Sequence, residues 1–255
     1  MGKKPLIMIA NDDGYRAKGF YKLIELMRNI GEVVAISTEK PMSGQSHSIT
    51  TQEPLRVYQA DSDVDYKLYV CNGRPVDCVK IGYRFTDGRM PDLMVSGINH
   101  GSNASANVLY SGTMGAALEA CLDGVNAIGF SLLDFSPNAI FDHVDCYVDT
   151  ISRMVLKNGL PKGICLNVNI PKISDNQING IKICRQAKGR WNQTFEKRTD
   201  PFGRDYYWLT GEFIEEDFSD GTDIYALKNN YVSVVPTMCD MTDNASLQLL
   251  KEWKL

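Results

Sequence analysis

The sequence predicts an α/β protein: a mostly parallel sheet covered by helices on both faces, followed by a β-hairpin arm. Three observations predict it. Up to about Ile170, short apolar runs alternate with helical stretches, the pattern of a parallel sheet built from strand–helix units. The first run, Leu6-Ile7-Met8-Ile9-Ala10, is continuously apolar and of strand length, as expected for a strand buried on both faces. Beyond about Ile181 the pattern changes to two aromatic-rich runs around Asp200-Pro201-Phe202-Gly203, where proline and glycine suit a tight turn.

In chain order, strand Leu6–Ala10 leads through a polar turn to an amphipathic helix over Lys18–Arg28. Short apolar runs predict strands at Glu32–Ser37 and Lys67–Cys71, and a helix follows at Asp77–Arg84. Leu93–Ser96 is a further buried strand, Thr113–Leu122 an Ala-rich helix, and Ala127–Ser131 the next strand. Phe141–Lys157 predicts a long helix and Ile164–Val168 a strand. Arg190–Arg198 and Asp205–Phe213 form the hairpin. A two-stranded hairpin is marginal alone, so it packs on its own domain or reaches into a partner chain. Val232–Val235 is one more buried strand and Ala245–Trp253 a closing helix. We expect one domain over residues 1–255, with roughly 186–215 as a hairpin extension used in oligomerisation.

At 255 residues with 44% hydrophobic content, the chain can bury a large core, which excludes a disordered tail or a small stapled module. Its 27 basic and 31 acidic residues leave a formal charge of −4, without runs of like charge, so duplex nucleic acid is not the expected partner. Small molecules fit better. Seven cysteines, an odd number with no Cys-x-x-Cys pair, match neither a disulfide framework nor a zinc set, and point to a reducing compartment. The N-terminal residues run directly into a short strand, and no apolar stretch is long enough for a signal peptide or membrane span, so a soluble cytoplasmic protein is expected.

The most informative stretch is Asn11-Asp12-Asp13-Gly14, at the carboxyl end of the first strand. Ligands of open α/β sheets bind at that edge, and two adjacent carboxylates leaving a strand through a glycine turn can converge on one hard cation. The plainer alternative is a polar turn whose aspartate caps the next helix. A second polar loop, Pro41 to Ser48, follows the second strand and offers hydroxyls and the His47 imidazole beside Gly44. A third, Ser96-Gly97-Ile98-Asn99-His100-Gly101-Ser102-Asn103, follows Asp92-Leu93-Met94-Val95 and packs two asparagines and two glycines into eight residues. It leads to Tyr110-Ser111-Gly112-Thr113 at a helix start, which is either an anion site or a helix with Ser111 as an ordinary N-cap.

Together the loops offer two carboxylates, neutral oxygens from Ser43 and Asn99, and a phosphate seat near Asn103 and Ser111 to Thr113. Magnesium and manganese favour oxygen ligands in octahedral geometry and keep positions open for substrate and water. Metal-assisted phosphomonoester hydrolysis is the chemistry this set implies. Competing motifs fail on context. Cys78 and Arg84 have the Cys-x5-Arg spacing of cysteine phosphatases, but the residues between them read as a helix rather than a phosphate loop. The first strand has no Gly-x-Gly-x-x-Gly after it, and no P-loop Gly-Lys-Ser/Thr is present. Aspartyl-phosphate hydrolases place acids two apart, and a receiver domain needs a phospho-accepting aspartate where Ser96-Gly97-Ile98-Asn99 stands.

These residues resemble the survival protein SurE family, whose members are metal-dependent nucleotidases. The resemblance rests on Ile9 to Gly14 with Ala17 and Gly19, Ser43-Gly44, Pro75-Val76-Asp77-Cys78-Val79, and Val95 to Asn99 with Gly101 and Asn103. It continues through Tyr110 to Thr113, Leu166-Asn167-Val168-Asn169, and Gly221-Thr222-Asp223 to Tyr231-Val232-Ser233, in order over nearly the whole chain. It implies a Rossmann-like three-layer α/β domain and one divalent cation per subunit, Mg2+ or Mn2+, held by Asp12, Asp13, Ser43 and Asn99. It further implies hydrolysis of nucleoside 5′-monophosphates, with 3′ as a further option, phosphate binding by Asn11, Asn103, Ser111, Gly112 and Thr113, and a homodimer or homotetramer with interlocked C-terminal arms. The nucleophile is a metal-bound water or, alternatively, Asp12 or Asp13 acts as base or attacks directly. Arg74 stands where the family usually has threonine and Asn107 where an acid is common, which bears on base and sugar preference. The reading from another class is a non-catalytic, magnesium-dependent nucleotide sensor on the same sheet.

Overall fold

The computed structural model describes residues 3–60, 66–136, 138–172 and 177–253. Nine strands form one sheet in the order β3-β4-β2-β1-β5-β6-β7-β11-β8, where β1 is Leu6–Ala10, β2 Glu32–Thr38, β3 Val57–Gln59, β4 Lys67–Cys71, β5 Leu93–His100, β6 Ala127–Leu132, β7 Ile164–Ile170, β8 Ile181–Ile183 and β11 Val232–Met238. Pairing is parallel throughout the middle of the sheet, with β3 antiparallel to β4 and β11 antiparallel to β7. Strand order runs outward in both directions from the neighbours β1 and β5. That is a topological switch point, where helices leave for opposite faces and open a crevice at the carboxyl ends.

Strand alternation explains the layers. Ile7 and Ile9 of β1 pack under α1 (Lys18–Arg28) and α4 (Asp145–Asn158) with Phe20, Leu23, Val148 and Ile151, in the larger of the core clusters. Met8 and Ala10 point the other way, toward Val79 of α2 (Pro75–Gly82) and the alanines of α3 (Gly112–Leu122). Because both faces are covered, every residue of β1 is buried, which is why its sequence is continuously apolar. The seven cysteines are free thiols. Among the described residues no helix is long and apolar enough to cross a membrane.

The hairpin is longer than its sequence signal, with β9 at Gly189–Thr199 and β10 at Asp205–Glu215 in uninterrupted antiparallel register. Asp200 organises its turn by accepting the backbone N–H groups of Phe202 and Arg204. The arm forms its own two-stranded sheet, and most of its side chains, Phe195, Phe202 and Trp208 among them, are exposed. Its root is tied to the main domain by Asp223, at the start of α5 (Asp223–Lys228): Oδ2 accepts from Ser105 N, and Oδ1 from Ala187 N and Ile224 N. Helix α6 (Asn244–Lys251) closes the described chain, capped by Asp243.

Several boundaries differ from the expectation by a few residues, and three of them have a clear physical reason. Helix α2 begins at Pro75 rather than Asp77 because proline suits the first helical position, and the Asp77 carboxylate accepts the Arg74 N–H to close a capping box. The span expected as helix from Phe141 opens with a short 3-10 turn at Asp142–Val144 before α4. Strand β5 continues to His100 through Gly97 and Asn99, residues that favour loops. Edge strands β3 and β8, three residues each, and helix α5 went unanticipated because they are too short to show a period.

Candidate functional site

Three loops meet at the carboxyl edge beside the switch point. Asp12 and Asp13 follow β1, with Gly14 at φ +87° turning the chain toward α1. Helix α1 starts after Ala17, which makes no side-chain cap, so neither aspartate is spent on capping it. The loop after β2 is stitched onto this turn by Met42 N donating to Asp12 O (2.7 Å) and Tyr15 N donating to Thr38 O (3.0 Å), which carries Ser43 to the mouth. Ser46 fastens the other end, its N–H to Tyr110 O and its hydroxyl to Leu109 O.

The third loop depends on an irregularity. Ser96 pairs with Gly129 and Asn99 with Ser131, so β5 spends one more residue than β6 between these points. Such a bulge resets the alternation of side chains and re-aims the residues beyond it. The backbone N–H of His100 donates to Asp13 Oδ2 at 3.1 Å, and Asn99 Nδ2 donates to Gly101 O at 2.9 Å. The amide nitrogen of Asn99 is thereby tied down and its oxygen is the end left to coordinate.

Asp12 is buried against the N-terminus of α3. Thr113 Oγ1 donates to Asp12 Oδ1 at 2.5 Å, and the Thr113 backbone N–H also bonds this carboxylate. A Cβ on Gly112 would stand 2.8 Å from both Asp12 Cβ and Asp12 Oδ2, so only glycine lets the helix approach this closely. Gly112→Ala is therefore expected to cost about 1–3 kcal/mol of stability and to displace Asp12, checked by denaturant unfolding alongside phosphate release.

Burial is the main cause that pushes Asp12 up to about 7, with the neighbouring Asp13 charge second, against the Thr113 hydrogen bonds that favour the ionised form. Burial likewise pushes Asp13 up to about 6, opposed by the His100 N–H. Among the described residues no basic side chain pairs with either carboxylate. Two acids held together in a poorly solvated pocket without a cationic partner are an electrostatic cost that a divalent cation would offset. The surrounding donors, a hydroxyl and an amide oxygen, are hard and neutral, the set magnesium or manganese favours. The described residues hold no group of three or more His, Cys, Asp or Glu side chains suited to a metal, so Ser43 and Asn99 would have to complete the shell.

The mouth opens into a cavity of about 730 Å³. Its lining combines polar groups, from Asp12, Ser43, Asn99, Asn103 and Ser111, with apolar and aromatic ones, from Tyr110, Phe135, Trp191 and Leu209; Asp13 is not among the lining residues. Asn103 is fixed by a buried amide ladder: its N–H donates to Asn169 Oδ1, its Nδ2 to Ser131 Oγ, Asn167 Nδ2 donates to Asn103 O, and Asn169 Nδ2 to Asn167 Oδ1, each at 2.8 Å.

Other residues singled out in the sequence sit elsewhere. Asn11 does not line the cavity; its Nδ2 donates to Gly14 O and its Oδ1 accepts from Ser37, so it braces the turn. Thr113 is fully buried beneath Asp12, and the positive end of α3 serves that carboxylate before any ligand. Ser111 lines the cavity and is also the N-cap, accepting from Met114 N at 3.0 Å. His47 pairs with Glu119 at 2.7 Å and lines a different cavity. Arg74 Nη1 donates to Ile49 O outside this cavity, whereas Asn107 lines it. Cys78 lies inside α2, fully buried, and cannot act as a phosphate-loop nucleophile. Phe135, Trp191 and Leu209 were not foreseen as lining residues; the only signal was the aromatic content of the hairpin.

A doubly wound α/β sheet with two adjacent carboxylates at its switch point defines the class: an α/β domain with an acidic pocket at the carboxyl edge of its strands. The family model described as "Survival protein SurE" matches residues 7–193. The chain is 51% identical to "5′-nucleotidase SurE" of Christiangramia forsetii, over 99% of this chain and 98% of that protein. It is 52% identical to the protein of the same name from Flavobacterium johnsoniae, again over 99% and 98%. The crystal structure of the SurE protein from Aquifex aeolicus superposes with a TM-score of 0.81 at 36% identity, covering 97% of this chain and all of that one. The chain belongs to the survival protein SurE family.

Proposed function

We propose that this chain is a divalent-metal-dependent 5′-nucleotidase that hydrolyses nucleoside 5′-monophosphates, and 3′ esters where they fit, to nucleoside and phosphate. The observation that carries the reading is the adjacent pair of buried Asp12 and part-buried Asp13, without a basic partner among the described residues, with Asp12 lining a cavity whose walls hold both polar and aromatic side chains. Relatives named 5′-nucleotidase, alike over essentially their whole length, support it.

Asp12, Asp13, Ser43 and Asn99 would hold the cation, Mg2+ or Mn2+. When bound, it offsets charge on the phosphoryl oxygens and lowers the pKa of water. The chain's own residues orient the rest. Thr113 and the His100 N–H hold the two carboxylates in place, so that each presents a fixed oxygen. Asn103, immobilised by the amide ladder, and Ser111 face the phosphate, with Gly112 bringing the helix N-terminus close. Asn11 and Thr113 act behind these groups, as braces. Self-association into a dimer or tetramer is part of the proposal, supported by the exposed aromatic arm, and light scattering in solution measures it.

The test is phosphate release from a panel of 5′ and 3′ nucleoside monophosphates with magnesium, with manganese and with chelator. Turnover confined to the metal arms is the expected result. Nucleotide binding without release from folded, metal-loaded protein would replace the enzyme by the sensor reading. Ser43→Ala is expected to weaken metal affinity; unaltered affinity with no turnover would make Ser43 the nucleophile instead.

A further inference from the structure

The cavity has two chemistries, and the nucleotidase reading uses only the polar one. Its aromatic rim draws Trp191 from the hairpin arm and Phe135 from the loop after β6. Trp191, near the start of β9, is held at two points. Its indole N–H donates to Asn107 Oδ1 at 2.8 Å, and its ring meets Phe213 of the paired strand edge to face, with centroids 5.7 Å apart at 73°. Its one polar group is satisfied and its ring is braced, yet the residue stays 41% exposed and lines the cavity. Phe135, from the loop after β6, is 78% exposed and seated directly on the turn that carries Asn99: a Cβ on Gly101 would fall 2.2 Å from its ring.

Large aromatic side chains left exposed cost free energy unless something covers them, and one with its rotamer already fixed loses little entropy when it is covered. What fits is a molecule with an anionic end for the polar side and a flat π-surface for the rim.

We propose that Trp191 is the stacking surface for a nucleobase, positioned by Asn107, and that this rim gives the site a preference for purine nucleotides over base-free sugar phosphates. The proposal deepens the nucleotidase reading and rests on it for the placement of the phosphate. A purine offers the larger face, so it gains more from stacking than a pyrimidine. Gln193, from the same strand and also in the lining, supplies an amide donor and acceptor for the base edge. Asn107 acts through the indole; it is a positioning residue.

The experiment compares kcat/KM for adenosine 5′-monophosphate with that for ribose 5-phosphate. Trp191→Ala is expected to lower this ratio about tenfold, through KM, and Trp191→Phe to restore most of it. Asn107→Leu lowers the ratio in the same direction, and Asn107→Asp, which keeps an acceptor for the indole, restores it. A ratio unmoved in Trp191→Ala, with activity present, overturns the base seat and leaves the nucleotidase reading standing. Binding is followed in parallel by quenching of indole fluorescence on adding adenosine 5′-monophosphate. Quenching in the parent that is lost in Trp191→Phe, without phosphate release from either substrate, supports the seat while the nucleotidase reading fails. Absence of both quenching and release overturns both.

Discussion

Asp13→Asn is expected to lower phosphate release by at least about a hundredfold, to stay inactive with added manganese, and to be more heat-stable than the parent in chelator. The opposite signs come from one cause. Burial holds the Asp13 carboxyl up at about 6 and the adjacent Asp12 at about 7, so at neutral pH the fold keeps charge where solvation is poor. An amide in the same place still offers an oxygen to the His100 N–H, but carries no charge to bury or to offer a cation. Function and stability therefore pull apart at this position, as they do where a site is strained for its task. Phosphate release at several manganese concentrations, together with thermal unfolding in chelator, measures both effects. Full activity in the variant would sink the metal-site assignment.

Stability without metal should decline as pH rises from about 4 to about 7, and added manganese should reverse the trend. Both folded-state values lie above the ordinary 3.8 of an aspartate, so the folded protein binds more protons than the unfolded chain in that window. The contribution is fully present below the unfolded value and is lost as pH passes through about 6 and then about 7. Its size is on the order of a few kcal/mol. Burial lowers the pKa of His100 and His143, which acts in the opposite direction, so the diagnostic quantity is the difference between parent and Asp13→Asn. A cation competes with those protons, and its stabilisation grows with pH. Melting curves at pH 5, 6, 7 and 8, with manganese or with chelator, should nearly coincide at the acid end and separate at the alkaline end. Parallel curves across the range would refute the role of the pair.

What the sequence disclosed depended on range. Lys18–Arg28 was readable to the residue because apolar positions at helical spacing face one core, and Leu6–Ala10 because a strand buried on both faces has no polar positions. That the turn from Asn11 to Gly14 and the Asn99 turn meet at one edge was legible from their placement after neighbouring buried strands. Their detailed use was not. Thr113 meets Asp12 across 101 positions, and nothing local distinguishes a threonine that grips a carboxylate from one that faces a ligand. The continuation of β5 was hidden by Gly97 and Asn99, whose local preferences tertiary pairing with β6 overrides. Trp191 and Phe135 read as ordinary hairpin and loop aromatics, because their place at one cavity depends on where the arm folds back.

The amide ladder beneath the cavity limits how this protein can change by descent. In the chain from Asn169 to Asn167 to the Asn103 backbone, and from the Asn103 side chain to Ser131, donors and acceptors are matched in one direction. Turning or replacing one amide leaves its neighbour with like facing like, a penalty that no single further step removes. Asn103, Ser131, Asn167 and Asn169 thus act as one unit: a change at one member is expected to cost stability unless its partners change with it, so the ladder tolerates concerted replacement better than single steps.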